Sequence, residues 1–422
     1  MNQHNQPTSA PDFRSLLTWI ASGLLIYLSV SGALIFWLPF GVYTQYSVIV
    51  HSVAGVLAVL PVTIIVGMHW RRRDISIEGR PATLAKASMA ILVVSIASGL
   101  TIVLQSVFGR VVQDVWWLVH QLSALAFGIM LFLHLLPILM RYANTPSTPR
   151  RMARRWFLTA AAVLLVAPLA VTDWLAKQVD TPAQFQAFPV NYVWRYDNDR
   201  PFWPSRARIA NPPWERQLQE GVSTLFSDSE QETLRASMAE FEESRGGPLE
   251  RLRRAVSLMA LDTGRQQQFN ELVAAAGESL IQAGALRPEP LLGAESCGAG
   301  GCHDDIYTEW VPSAHGFAAF DPLFLDVQEA LAEANGAADT RACAGCHDPV
   351  MLLSGGRDGG PIGGDNLKLN EGVSCLVCHS ISETDTNGNG GYVLQIPERY
   401  LFADQAGQGG FWNHFLIRSY PQ

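Results

Sequence analysis

The distribution of apolar residues divides the chain into two parts. Up to about residue 176 the sequence is a succession of long apolar runs, whereas the rest is polar and rich in acidic residues, glycine and proline. A run of about 20 mostly apolar residues can cross a bilayer as a helix. We therefore predict five membrane-spanning helices, at Leu16–Phe40, Ser47–Trp70, Ala85–Phe108, Val115–Met140 and Trp156–Ala176.

The loops between these runs differ in charge, and this difference predicts the orientation of the chain. The loops after the second and fourth runs are basic, whereas those after the first and third carry only Arg110 as a base. Because basic loops stay on the cytoplasmic side, we expect residues 1–15 to form a cytoplasmic tail and the chain after Ala176 to lie outside. The first run is too long to be the apolar core of a cleaved signal peptide. The basic residues that carry this prediction are Arg71, Arg72, Arg73, Arg80, Lys86, Arg141, Arg150, Arg151, Arg154 and Arg155.

Net charge adds one exclusion. The formal net charge of −8 comes from the second part of the chain, because the first part is basic. An acidic outer part argues against nucleic acid as a partner, and the basic loops are already explained by the orientation of the spans.

Four histidines lie inside the predicted spans, where ionisable side chains are costly and usually functional. At about 100° per residue, the two histidines of each span fall on one face of their helix. Since both spans run in the same direction, the four side chains form an outer and an inner pair at matched depth. Each pair can ligate one b haem from both sides. Because the axial spacing differs between the two spans, one histidine at a quinone site is an alternative, and hydrogen bonding between helices is another. The outer pair is His51 and His120, and the inner pair is His69 and His134.

All six cysteines lie in three short motifs toward the end of the chain. In each motif two thiols can form thioether bonds to a haem, and the histidine that follows can ligate its iron. A zinc site or a disulfide framework gives no reason for those histidines. We therefore predict three covalent c haems, which are assembled outside the cytoplasm. The motifs are Cys297-Gly-Ala-Gly-Gly-Cys302-His303, Cys343-Ala-Gly-Cys346-His347 and Cys375-Leu-Val-Cys378-His379.

Each c-haem iron needs a second axial ligand or has an open position. The remaining histidines of the outer part are His315 and His414, which leaves one of the three irons without a ligand. Met351 follows His347 by four residues, but a lone methionine in an apolar stretch is more often a packing residue. We expect that the natural chain continues past Gln422 or that a partner supplies the missing ligand and haem.

Two resemblances accompany these motifs. Residues 16–141, with their four span histidines, resemble the di-haem cytochrome b four-helix bundle of respiratory membrane proteins. The run from Cys297 to His379 is similar to multihaem cytochromes c related to the tetrahaem electron carriers of nitrifying bacteria, and this resemblance implies that His315 is the distal ligand of a neighbouring haem. The chain departs from it in having no fourth motif. The shared elements are the first motif, Ser-Ala-His, Cys-Ala-Gly-Cys-His-Asp-Pro and Gly-Val-Ser-Cys-Leu-Val-Cys-His.

The expected fold is an all-α membrane protein with an outer, haem-bearing part. Its parts are a four-helix di-haem b bundle at 16–141, a fifth transmembrane helix at 156–176, an aromatic- and proline-rich segment with helices at 177–290, and a mostly helical, loop-rich trihaem c domain at 291–422.

The segment between the spans and the c domain contains no histidine or cysteine, and nothing in it suggests catalysis. Its first part, Phe185–Trp214, is expected to lie extended on another surface. Helices are predicted at Glu230–Ser244, which follows a capping box at Ser227, and at Leu249–Ala285.

The predicted function is electron transfer through a bacterial inner membrane, with no catalytic side chain assigned. Two b haems would connect a quinone pool to three c haems, and then to periplasmic or outer-membrane cytochromes or a terminal reductase within a larger complex. Quinol oxidation is favoured, as in a quinol:cytochrome c-type oxidoreductase or its electron-transfer subunit. The alternative is a multihaem enzyme acting on a small nitrogen or sulfur compound at an open-site c haem. The quinone is expected at the inner end near His69, Trp70 and His134, and the outer alternative is near Tyr43, Gln45, Arg110 and Asp114.

Overall fold

The computed structural model separates the chain into two compact units. Residues 1–181 and 398–422 form the first, which we call the membrane unit, and residues 182–397 form the second, which we call the haem c unit. The stretches 177–290 and 291–422, which we predicted apart, share the haem c unit over residues 182–397. The structure describes residues 16–71, 80–109, 112–143, 148–179, 183–195, 199–241, 247–298, 303–357, 371–403 and 408–421.

Five long helices make up most of the membrane unit, and each contains a stretch long and apolar enough to span a membrane. The whole structure is 70% helical with little strand, which confirms the predicted all-α membrane protein. The apolar stretches begin and end within a few residues of the predicted spans. The helices are α1 (Leu16–Trp37), α2 (Val42–Arg71), α3 (Arg80–Val107), α4 (Asp114–Ala143) and α5 (Thr148–Ala176).

The first four helices pack as a bundle in which α2 and α4 lie on one diagonal. Helix α1 packs against α2 and α4, and α3 packs against the same two helices. Ala21, Ala58, Val62, Leu92 and Phe127 form a small buried core that joins the four helices. Side chains on opposite helices of a diagonal point toward one interior space, and in helix bundles such spaces hold cofactors.

The fifth span does more than carry the chain outward, because α5 packs along α1 and α2. At the closest approach, a Cβ on Gly23 of α1 would lie 2.5 Å from Cδ1 of Leu164 of α5. Small residues that let two backbones approach are typical of packed membrane helices. The fifth helix is therefore a packed member of the bundle.

The haem c unit contains ten helices among its described residues and two small sheets. Strand β1 (Phe185–Gln186) pairs antiparallel with β3 (Ala285–Leu286), whereas β5 (Tyr392–Leu394) pairs parallel with β2 (Arg208–Ile209) and antiparallel with β4 (Ile381–Thr384). The helices are α6 (Pro213–Leu225), α7 (Asp228–Glu240), α8 (Pro248–Ser257), α9 (Thr263–Ala283), α10 (Ala294–Gly298), α11 (Asp304–Trp310), α12 (Pro322–Asn335), α13 (Arg341–His347), α14 (Pro349–Leu353) and α15 (Cys375–His379).

The helix predictions for this unit were correct in part. Helix α7 begins where the capping box places it, with the Ser227 N–H donating to the Glu230 carboxylate at 2.8 Å. The predicted helix over 249–285 is wrong as one element, because α8 ends at Ser257 and α9 starts after a new cap, the Asp262 carboxylate. Helix α6 was missed, although a proline at its first position is a typical start signal.

The aromatic segment is built into the core of the haem c unit. Phe188, Tyr192 and Phe202 are buried together with residues of the haem-motif region such as Leu352. The buried Arg341, two residues before the second motif, lies over the Tyr192 ring at 4.4 Å and donates to the Val193 carbonyl at 2.6 Å. Through this cation–π contact and this hydrogen bond, the aromatic segment helps to hold the second motif in place.

The chain ends in the membrane unit. Its last helix, α16 (Gln408–Ser419), packs against α3 and α2. The described residues 398–403 precede this helix and belong to the same unit. We call the described residues 398–403 and 408–421 the C-terminal strap.

Candidate haem sites

A cavity of about 1180 Å³, partly open to the surface, lies between the helices of the membrane unit, and two of the predicted histidines line it. This volume exceeds the roughly 300–1,000 Å³ of common small-molecule sites. Its walls are mostly apolar side chains of α1 to α4. The rings of His51 on α2 and His120 on α4 face each other across it, with their centroids 6.3 Å apart and their planes at 81°.

Each of these rings is held from behind through its Nδ1 atom. Nδ1 of His51 lies 2.8 Å from the Ser31 hydroxyl. Nδ1 of His120 lies 3.0 Å from the Ser95 carbonyl oxygen and 3.3 Å from the Ser98 hydroxyl. Donation by Nδ1 to a carbonyl fixes the tautomer that leaves Nε2 with its lone pair, which is the form that ligates a metal.

The spacing of the two rings fits one iron between them. Two metal–imidazole bonds of about 2 Å, with the ring radius added at each end, place the centroids roughly 6 Å apart. Glycines give the rings room: a Cβ on Gly99 would lie 2.8 Å from Cε1 of His120, and one on Gly32 would lie 3.4 Å from Cε1 of His51. The donor atoms, the spacing and the volume therefore all suit a haem with two histidine ligands.

For the inner pair, the structure describes only one of the two side chains. The His134 side chain is exposed on α4 and does not line the cavity. His69 lies in α2, and its side chain falls outside the described residues, as does that of Trp70. The inner b haem and the inner quinone site stay predictions.

The outer residues named for a quinone differ from one another in burial and in surroundings. Gln45 is fully buried, and its amide donates to the Arg399 carbonyl at 2.9 Å and accepts from the Leu401 N–H at 2.8 Å. Both ends of this side chain are therefore used within the protein. Asp114 lines the cavity, Tyr43 is partly exposed, and Arg110 lies outside the described residues.

The haem-attachment motifs of the haem c unit sit on short helices. The second motif ends α13, and the third motif is α15. The spacing Cys-x-x-Cys-His puts both thiols and the histidine on one side of such a turn. The first motif begins in α10 with Cys297, its Cys302 lies outside the described residues, and His303 immediately precedes α11. The five described cysteines are free thiols, as haem attachment requires.

His347 of the second motif is oriented for ligation. Its Nδ1 lies 3.2 Å from the Ala318 carbonyl oxygen, and the Phe324 ring stacks on it at 4.2 Å with only 6° between the planes. The next residue, Asp348, forms a buried ion pair with Arg357 at 2.7 Å. Burial raises the pKa of the Asp348 carboxyl, and the Arg357 charge acts against this shift. Nε2 of His347 is again the nitrogen left for a metal.

The first and third motifs lie side by side. The Cys375 thiol is within hydrogen-bonding reach of the Cys297 thiol. The Glu371 carboxylate accepts from the Gly293 and Ala294 N–H groups at 2.8 and 3.0 Å, and the Ser374 hydroxyl donates to the Leu291 carbonyl at 2.6 Å. These bonds fix the start of α15 against the chain that leads into α10.

Tyr392 connects the second and third motifs. Its hydroxyl donates to the Gly345 carbonyl, between the two cysteines of the second motif, at 2.8 Å. Burial raises the pKa of this phenol, and the Cys346 and Cys378 thiols nearby add to the shift. All three motifs are thus gathered in one unit, close enough for their cofactors to be neighbours.

The two candidate distal ligands lie in different units. His315 is exposed beside the third motif, where its carbonyl accepts from the Val373 N–H at 3.0 Å. Gly372 has a φ of +63°, and a Cβ there would lie 2.4 Å from the His315 oxygen, so this close approach needs glycine. His414 is exposed on α16 in the membrane unit. The ligand roles of both histidines stay predictions.

The residues that position the membrane histidines were not predicted from the sequence. These are Ser31 and Gly32 on α1 and Ser98 and Gly99 on α3, together with the Ser95 carbonyl. A signal was present, because both spans that precede a histidine-bearing span carry a Ser-Gly pair. The pair lies 20 residues before His51 in one hairpin and 22 residues before His120 in the other, measured from the serine.

Comparison with known proteins supports haem attachment in the haem c unit. The family described as cytochrome c554 and c-prime matches residues 297–380, which span all three motifs. No curated protein and no solved structure matches the chain. The family match and the motifs together show a cytochrome c segment with covalent haem and a haem-based electron-transfer role.

Proposed function

We propose that this protein is a membrane electron conduit between a quinone pool and redox partners outside the inner membrane. A b haem bound by His51 and His120 would exchange electrons with three c haems held by the motifs of the haem c unit. The observation that carries the proposal is the facing pair of imidazoles at 6.3 Å, each with its Nδ1 already bonded. Periplasmic or outer-membrane cytochromes or a terminal reductase would accept the electrons.

The chain's own residues would set how the cofactor works. The haems supply reversible one-electron transfer. Ser31 and the Ser95 carbonyl hold the ligand rings at fixed orientation, which limits rearrangement when the charge on the iron changes. The apolar walls keep water away, and a low dielectric strengthens every charge interaction in the cavity.

The inner histidines complete the route in this proposal. His69 and His134 would bind a second b haem, and a quinol would deliver its electrons at that end. The basic loops after α2 and α4 support this arrangement, since they put the inner pair on the cytoplasmic side. Electrons would then cross from the inner to the outer pair, and quinol oxidation is the favoured direction.

The test is a haem inventory of histidine variants, which should show three covalent c haems and two acid-extractable b haems per parent chain. His51→Ala and His120→Ala should each lose the same b haem, because one iron needs both ligands. His134→Ala should lose the other. Pyridine haemochrome spectra count the haems, and redox titration shows which one is missing.

Two results would contradict the proposal. Parent protein without extractable haem would mean that the cavity histidines have another role. Loss of different b haems from His51→Ala and His120→Ala would break the pairing. As a control, Ser123→Ala removes a hydroxyl that, among the described residues, bonds to the Val119 and His120 carbonyls of its own helix, and this variant should keep all haems.

A further inference from the structure

We propose that the C-terminal strap is part of the b-haem site: it closes the outer mouth of the cavity, and the Ser419 hydroxyl binds a haem propionate. This inference rests on the proposed b haem at His51 and His120. Ser419, Tyr420 and Pro421 line the same cavity as the two histidines. The cavity is thus lined by residues of α1 to α4 and by residues 419–421, which are far apart in the sequence.

A buried side chain of α2, that of Gln45, is hydrogen-bonded to the backbone of the strap. Gln45 is fully buried, and its amide makes two hydrogen bonds to the backbone of the strap, at Arg399 and Leu401. The amide thus uses both its donor and its acceptor on the backbone on either side of Tyr400. Gln45 does not line the cavity, so it acts on the strap and not on the cofactor.

Contacts to α1 and α3 hold the end of the strap. The Arg418 guanidinium lies 3.4 Å from the Ser106 carbonyl oxygen in the last turn of α3, where a cation is favourable. The Tyr420 ring stacks on Phe40 with centroids 5.3 Å apart. One turn earlier in α16, Phe415 and Leu416 are buried. They pack with Val48 of α2, Val103 of α3 and Ile35 of α1. The strap is therefore anchored on three helices around the cavity mouth.

Two polar groups of the strap, the Asn413 Oδ1 atom and the Ser419 hydroxyl, lack a partner within the described part of the protein, and of these two residues only Ser419 lines the cavity. The Ser419 side chain is 3% exposed, and its hydroxyl oxygen makes no hydrogen bond there. A buried hydroxyl without a partner is costly and normally marks a missing group. A haem propionate supplies the matching acceptor, since it is a carboxylate that avoids the apolar end of the cavity.

The predicted orientation agrees with this contact. His51 and His120 are the outer pair, and the strap covers the ends of α1, α2 and α3 that face outward. A propionate directed away from the membrane interior would reach the end of the cavity that Ser419 lines. A hydroxyl donor favours the ionised carboxylate, so it would lower the pKa of that propionate.

The test uses the full-length protein with its c haems attached and compares two variants. Gln45→Ala removes both amide bonds to the strap, and Ser419→Ala removes only the hydroxyl. We measure the rate at which b haem transfers to added apomyoglobin, and the midpoint potential of that haem as a function of pH. Ser123→Ala is the control, because its hydroxyl is bonded within α4 and lies outside the cavity.

Gln45→Ala should transfer haem roughly two- to tenfold faster than the control, as expected for the loss of hydrogen bonds that hold a closed site. Ser419→Ala should shift the pH-dependent step of the midpoint potential to higher pH, because the propionate loses its donor. A merely structural role of Ser419 would leave that profile in place.

The outcomes separate this inference from the proposed function. A parent protein without transferable b haem refutes the b-haem proposal itself. A parent that holds b haem, with both variants equal to Ser123→Ala in transfer rate and pH profile, refutes the strap alone. An unchanged pH profile in Ser419→Ala refutes the propionate contact.

Discussion

At the scale of single residues, the two histidines of the membrane cavity are held in place by their neighbours. His51 and His120 follow one design, in which a serine or carbonyl of the adjacent helix takes Nδ1 and a glycine leaves space beside the ring. The histidines were identifiable from sequence because ionisable residues are rare in spans. Their partners were not, because serine and glycine are common there and gain meaning only from a contact.

The close approach at Gly99 can be tested by filling it. Gly99→Val should weaken b-haem binding roughly tenfold or more, because its side chain would force the His120 ring from its place and overpacking costs about 1–3 kcal/mol. Haem transfer to apomyoglobin measures the effect. Gly67→Val is the matched control on α2, where a Cβ meets no atom within 4 Å. Equal haem retention in both variants would show that the ring tolerates the added bulk.

At the scale of helices and strands, the elements that short sequence patterns determine could be predicted. The spans and the start of α7 depend on local apolar runs and on a capping box, and both were found. The break between α8 and α9 depends on the cap at Asp262 inside a helix-like pattern, so periodicity alone gave one helix. The packing of the strap could not be predicted, because it depends on contacts such as that between Gln45 and Arg399, which are 354 positions apart in the sequence.

The capping box of α7 has a pH dependence with a definite sign. Hydrogen bonds from Arg265, and then from Ser227, lower the pKa of Glu230 from 4.5 to about 2. A depressed pKa means that the ionised form stabilises the fold, so the stabilisation is present above about pH 4.5 and disappears as the pH falls toward 2. Amide exchange in the first turn of α7 should therefore be faster in Glu230→Gln than in the parent at pH 6, and equal near pH 2.

A neighbouring carboxylate provides the comparison for this pH effect. Glu232→Gln removes the same charge two residues later in α7 and should exchange like the parent at both pH values. Similar acceleration in the two variants would mean that overall charge, and not the contact with Arg265, stabilises this turn.

At the scale of the whole molecule, one chain combines a unit of apolar helices around a histidine-lined cavity with a unit that carries three haem-attachment motifs. The all-α architecture was predictable, since five apolar runs and three cysteine motifs decide it. The place of the aromatic segment was not, because its sequence predicts an extended stretch on another surface, whereas Phe188 and Tyr192 lie in the core of the haem c unit.

The orientation of the chain is testable with fusions at two loops. A reporter placed after Ser147 should behave as cytoplasmic, and one placed after Asp180 should behave as exported, because the loops after α2 and α4 are basic. Paired alkaline phosphatase and fluorescent-protein fusions give opposite signals on the two sides. An exported reporter at Ser147 would reverse the assignment of inner and outer histidines.

The return of the C-terminal strap to the membrane unit makes that unit discontinuous in the chain. Residues 182–397 are synthesised between its first and last pieces. The ribosome therefore releases the final wall of the histidine cavity only after the entire cysteine-rich segment has been made. Assembly therefore has an order: a chain interrupted within the c segment leaves its membrane helices without the C-terminal strap, whose residues 419–421 line the cavity.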